Sequence, residues 1–263
     1  MKYCIDYHKS FKNADKADEF TIKYTRKNDA LIDFLEKFKT KRINLVIEEV
    51  SYSELKLLKT IRDSYPNLFL KIETYNSKTI EDIVECGVPF FFGNRVNNWD
   101  EFLGLVDLGV TDIYIVEDLC FELDKVAEIA HKENIQLRVY PNVAQSRWAD
   151  TSEIKKFWIR PEDIIIYEPY IDVCEFFGAE HQTSILLKIY KEDKKWYGLL
   201  NEIIIGLKSN LDSRFIAPRF AEKRISCGKS CLKGGKCQIC ERIVSLSNTL
   251  KDANLMVEIE KDN

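Results

Sequence analysis

One apolar pattern recurs along most of the chain at an almost constant step. Short β-type runs begin near Phe20, Ile43, Leu68, Pro89, Asp112, Gln136, Phe157 and Ile171, and the steps lie between 21 and 25 residues until a last one of 14. Between them lie apolar residues at helical spacing: Leu31, Phe34, Leu35 and Phe38; Trp99, Phe102, Leu103 and Val106; Leu119, Leu123, Val126, Ala127 and Ala130. A strand, a helix and two short loops occupy roughly such a step. Ser51 with Glu54, and more weakly Asn98 with Glu101, have the spacing of helix-start caps. Pro161 suits the first turn of a short helix, and a long helical stretch runs from about His181 to Ile205, with a break at KEDKK.

Eight strands alternating with helices predict an α/β fold, a (β/α)8 TIM-type barrel with a short, distorted seventh unit. The alternative is an open doubly wound sheet, but no glycine-rich loop follows the first expected strand. The expected organisation is an N-terminal extension over 1–19, the barrel over 20–206, and a tail over 207–263. The chain is 45% apolar and 31% charged over 263 residues, which excludes a disordered or collagen-like polypeptide. No run is long and apolar enough for a membrane helix, and MKYCIDYHKSF lacks a signal-peptide core, so a cytoplasmic protein with no membrane partner is expected.

Side chains alternate along a strand, so half of each strand points into a barrel. That rule sends Lys23, Lys71, Arg138 and Arg160 inward, with Glu48, Glu73, Glu117 and Glu175 at strand ends. Barrel enzymes work at the carboxyl ends of their strands. The expected acid/base groups are therefore Glu48, Glu117 and Glu175, with His181 in the loop before the last helix. Substrate contacts are expected from Arg160, Lys71, Arg138 and Asn142. Arg160 precedes Pro161 at a strand end, and a guanidinium holds a carboxylate or phosphate through two parallel hydrogen bonds. A small anionic substrate is implied. An interior ion-pair network would produce the same pattern of charges.

The eight cysteines divide into two sets. Cys4, Cys86, Cys120 and Cys174 are scattered and read as small core residues. Cys227, Cys231, Cys237 and Cys240 form C-x3-C-x5-C-x2-C, a spacing suited to a metal. Zinc is expected, with a 4Fe-4S cluster as the alternative. The surrounding residues 214–242 carry +6, against −10 on the rest of the chain, so contact with a nucleic acid or an acidic protein is a further expectation. A second class of function follows: a non-catalytic scaffold or assembly protein whose basic metal tail docks the partner.

Two stretches resemble a known family. DLGVTDIYIVEDLCFELDKVAEIAHKENIQLRVYPNVAQ, residues 107–145, and CEFFGA, residues 174–179, are similar to units of the collagenase-like peptidase family, which includes prephenate-dependent hydroxylases. The resemblance implies a (β/α)8 barrel, a four-cysteine iron–sulfur site, and hydrolase or oxygen-insertion chemistry. By position it covers Asn142, Glu175, Gly178 and Ala179. The family's cysteines are spaced more widely and begin near that glycine, whereas here residues 175–226 contain none.

Overall fold

The structure is a computed structural model that describes residues 1–7, 14–73, 77–116, 119–144, 157–178, 180–207, 211–216, 219–225, 227, 238–242 and 245. Nine parallel strands form its sheet: β1 (Lys2–Asp6), β2 (Glu19–Lys23), β3 (Arg42–Ile47), β4 (Leu68–Ile72), β5 (Phe90–Phe92), β6 (Arg95–Val96), β7 (Asp112–Ile115), β8 (Gln136–Val139) and β9 (Val173–Phe176). Their order is β5-β4-β3-β2-β1-β9-β8-β7-β6. The two edges, β5 and β6, are halves of one stretch broken at Gly93 and Asn94. The first half pairs with β4 and the second with β7. The Phe90 carbonyl also accepts from Thr111 N at 2.9 Å. The ring of strands thus closes through residues 90–96, and the fold is a TIM-type α/β barrel.

Counting β5 and β6 as one broken stretch, the ring has the expected eight positions, but their membership differs. Residues 1–19 are no extension: Lys2–Asp6 is the first strand, seated between β2 and β9. Conversely, Phe157–Arg160 lies outside the ring, because β8 pairs directly with β9. Trp158 packs there against Phe220 of α8 (Arg219–Ile225), with ring centroids 5.8 Å apart.

Helices α1 (Asn28–Lys37), α2 (Tyr52–Ser64), α3 (Ser77–Cys86), α4 (Trp99–Leu108) and α5 (Leu123–Lys132) fill the crossovers. Leu31 and Leu35, and Leu123, Val126, Ala127 and Ala130, bury the apolar faces read from their spacing. Ser51 and Glu54 form the full capping box of α2. Asn98 Oδ1 accepts from Glu101 N at 2.9 Å to start α4. Pro161 opens a 3-10 turn that leads into α6 (Ile164–Tyr167). The long helix expected after His181 is shorter: α7 (Glu180–Leu187) widens into a π-helical turn over Lys188–Asp193 and stops at Lys194, whose φ is 50°.

The start of the expected tail belongs to the body. Leu200 N donates to Leu211 O at 2.8 Å, and Ser213 N to Gly198 O at 3.0 Å. On α8, Arg224 lies 4.8 Å from the Trp158 ring and 5.0 Å from the Phe220 ring, and its Nη1 donates to Trp158 O at 2.9 Å. Of the tail's positive charges, Arg224 is therefore buried, and Arg214 is forked onto Asp212. Among the described residues no helix is long and apolar enough to cross a membrane.

Candidate functional site

The barrel interior is charged. Many barrels fill this space with branched aliphatic side chains. Here Arg42, Lys71 and Arg138 meet Glu19, Asp112 and Glu175, three of each sign. Near the amino ends of the strands, Arg138 Nε donates to Asp112 Oδ1 at 2.6 Å, and Arg138 Nη2 donates to Glu19. Arg42 closes the far side of Asp112. Arg138 Nη1 lies 3.6 Å from Glu175 Oε2, which links this layer to the one above. There Lys71 Nζ donates to Glu175 Oε1 at 2.9 Å, and the Tyr114 hydroxyl donates to the other oxygen.

Burial works against each of these charges, and the partners outweigh it. Lys71 and Arg138 hold the Glu175 carboxyl below its ordinary range, and Arg138 and Arg42 do the same for Asp112. Glu175 in turn holds the Lys71 ammonium above its usual range. Burial and Glu175 together push the Tyr114 and Tyr140 phenols up, so both stay protonated. Glu175 is consequently a fully engaged carboxylate, not the free acid or base expected of it. Arg138 is sealed in the same network and has no face toward a substrate.

Above this layer a cavity of about 900 Å³ opens at the carboxyl ends of the strands. That volume lies in the range of small-molecule sites. Its floor includes Lys71, Glu175 and Tyr140, and its walls include Asp6, Lys23, Glu73, Asn94, Arg95 and Phe177. Glu73 lies 3.8 Å from Lys71 Nζ and its side chain is 39% exposed. Gly93 makes room for that carboxylate, since a Cβ there would overlap it. The Arg95 guanidinium sits 5.9 Å from the centre of the Tyr140 ring, and among the described residues no carboxylate pairs with it. Tyr140 stacks in turn on Tyr114, with centroids 5.2 Å apart and planes 7° from parallel.

The other expected residues lie elsewhere. Lys23 and Glu48 are exposed partners at 2.8 Å on the rim, with Glu48 on a shallow outer groove instead of the main cavity. Arg160 is the largest departure. It is buried outside the barrel, holds Asp163 with two bonds of 2.7 Å, and donates to the carbonyls of Ser213 and Ile216. Its donors are spent on the fold, so it is no anion contact. Asn142 is a clamp: its Nδ2 donates to Phe177 O at 2.6 Å, and its Oδ1 accepts from Phe177 N at 3.1 Å. Glu117 lies outside the described residues. His181 falls in α7, with its side chain outside the description.

Cys227 and Cys240 are half-buried against the core, while Cys231 and Cys237 lie outside the described residues. Among the described residues no group of three or more metal-ligating side chains is placed to hold an ion. The four scattered cysteines are buried, as expected of core residues.

The mouth residues that the sequence reading missed are Arg95 and Asp6. Both are strand-end residues that the inward/outward alternation could have found. Arg95 belongs to a two-residue strand, and Asp6 to a strand assigned as an extension.

No protein-family profile matches the chain, and no curated protein matches it. Among solved structures, a cube-shaped, highly porous protein cage designed by fusing symmetric oligomeric domains is similar at TM-score 0.44 and 10% identity, covering 95% of this chain and 83% of that one. Native KDPGal is similar at TM-score 0.43 and 10% identity, covering 72% and 91%. At this distance neither likeness speaks to activity.

Proposed function

We propose that the chain is a barrel enzyme that binds a small organic acid in the mouth at the carboxyl ends of its strands. The observation that carries this reading is Arg95, a guanidinium on the cavity wall with an aromatic ring beneath it and no carboxylate partner among the described residues. The Lys71 ammonium lies on the floor of the same cavity, paired with Glu175. Glu73 is the carboxylate placed to take a proton from such a substrate, and the protonated Tyr140 phenol is placed to donate a hydrogen bond to it. The likeness of 107–145 and 174–179 to the collagenase-like peptidase family adds hydrolase or oxygen-insertion chemistry as a further proposal. Four buried thiols suit a reducing compartment such as the cytoplasm.

The test is calorimetric titration at low salt with a panel of small carboxylates and phosphates. Arg95→Gln, an exposed change, should weaken binding at least tenfold, on the order of one charge-assisted hydrogen bond, and leave urea unfolding unchanged. No binding by the wild type, or equal binding by the variant, would overturn the reading.

A metal on Cys227, Cys231, Cys237 and Cys240 remains part of the proposal, as zinc or as a 4Fe-4S cluster. Four thiolates suit either group. Cys227 lies two residues past the end of α8, its N donating to Arg224 O at 3.3 Å, and this tie to the anchored Arg224 supports a fixed first ligand.

One observation favours the scaffold reading as a second possibility. The inner network is balanced in charge, and Glu175 and Arg138 both have their charges paired within it. A scaffold would be indifferent to Arg95→Gln and would lose its partner when the tail is cut after Ile225.

A further inference from the structure

A second cavity, of about 230 Å³, lies beside the mouth. Six apolar residues form most of its wall, Ile185 and Leu186 of α7, Trp196, and Ile203 to Ile205, and Asn142, Gln182, Asn201 and the carboxylate of Glu202 complete it. Ile205 lines both cavities. Its place is fixed by main-chain bonds to the segment that follows β8: Ile205 N donates to Asn142 O and Ala144 N to Ile205 O, each at 2.8 Å. Gly206 has φ +84°, and a Cβ there would come within 3.2 Å of the Ala144 carbonyl, so this crossing depends on glycine. The Asn142 side chain meanwhile holds the Phe177 backbone at the shared wall. Phe177, Ile185 and Ile205 remain 56%, 54% and 40% exposed around these openings.

Resting on the acid-binding reading above, we infer that this side cavity is a subsite for the apolar end of the same substrate, which is therefore an acid carrying an aryl or branched alkyl group. The charged mouth fixes one end of the ligand. Ile205, common to both linings, offers the other end an apolar route to the Ile185, Leu186 and Trp196 walls, where a ring contributes burial and the Glu202 carboxylate disfavours a second acid group. An apolar cavity of about 150 Å³ already admits benzene, so 230 Å³ accommodates a six-membered ring. A wholly polar substrate would leave the exposed rim of Phe177, Ile185 and Ile205 in water.

The test titrates two acid series into the full-length protein by calorimetry: phenylacetate to 5-phenylpentanoate, and acetate to pentanoate. Trp196 fluorescence, taken as the difference from Trp196→Phe, reports occupancy of the side cavity. Phenyl acids long enough to pass Ile205 should bind roughly tenfold to hundredfold tighter than the alkyl acids and should perturb Trp196. Ile185→Trp, at an exposed wall position, should remove that advantage and leave the alkyl acids unchanged. Gln182→Trp serves the same purpose should the first variant fold poorly. A wild type that binds phenyl and alkyl acids equally, or an advantage that survives both variants, would overturn the subsite. Arg95→Gln separates the two readings. Loss of both series with no benefit from the ring leaves the acid site standing and removes the subsite. Phenyl binding that Arg95→Gln spares and Ile185→Trp abolishes does the reverse. No binding by either series overturns both.

Discussion

Lys71 Nζ and Glu175 Oε1 meet at 2.9 Å, although their strands, β4 and β9, stand on opposite sides of the barrel. Counting β5 and β6 as one broken stretch, three strand positions separate them in either direction round the ring, so the pair spans the interior and is not a neighbour contact. Removing one member of a buried pair strands the other, at a cost of about 3–5 kcal/mol. Glu175 would keep Arg138 and Tyr114, which puts Lys71→Met near the lower end of that range. Urea unfolding should show the loss, and adding Glu175→Gln should restore part of it. A loss well under 1 kcal/mol would mean that water from the mouth already screens the pair.

Stability should fall with acid, and the inner carboxylates set where. Against the pull of burial, Lys71 and Arg138 lower Glu175, and Arg138 and Arg42 lower Asp112. A group lowered in the folded state contributes stability above its unfolded pKa of about 4 and loses it as pH drops through the folded value. Urea midpoints should thus hold steady from neutrality to about pH 5 and decline below about pH 4. Glu175→Gln should start lower and decline less. A wild-type midpoint that is flat down to pH 3 would contradict this account of the network.

Arg160→Ala separates a binding role from a structural one. The side chain ties Asp163 to the carbonyls of Ser213 and Ile216, so its loss leaves a buried carboxylate unpaired and frees that turn. The expected cost is about 3–5 kcal/mol. Amide exchange should rise in 211–216, while binding of small acids at the mouth stays within a factor of two or so, roughly a few tenths of a kcal/mol. Lost acid binding in a variant that remains folded would return Arg160 to the site.

How far the sequence could be read depended on which signal each residue carried. The step of 21 to 25 residues made the barrel legible, because a βα unit has a nearly fixed length. Alternation places Lys71 and Arg138 inside and the strand end places Glu175 there, and all three are inside. Lys2–Asp6 escaped because it is five residues with charges at both ends, and its inward side chains include the small Cys4 and the charged Asp6. Phe157–Arg160 looked like a strand because it is apolar and extended, but β8 and β9 pair without it. The failure at Arg160 followed from that misplacement. Nothing local distinguishes an arginine that binds an anion from one that holds Asp163 three residues later. The Asn142 clamp on Phe177 joins residues 35 apart in the chain and exists only once β8 and β9 are neighbours.

The tail offers a prediction that does not depend on the mouth. Arg224 on α8 is held by its ring contacts with Trp158 and Phe220 and by the Trp158 carbonyl, and Cys227 follows one turn later. Cys240 also packs on the core, so the first and last cysteines of the four-cysteine segment both rest against the barrel. Elemental analysis of anaerobically purified protein should find about one zinc per chain, and Cys227→Ser or Cys240→Ser should remove it. The barrel's urea transition should persist in those variants, because the strand ring and its inner ion pairs lie outside the segment. About four irons with sulfide and a visible absorption shoulder would instead identify a cluster and strengthen the oxygen-insertion proposal. Neither metal in a folded protein would show that the cysteines serve another end, and the basic tail would lose its reason for that spacing.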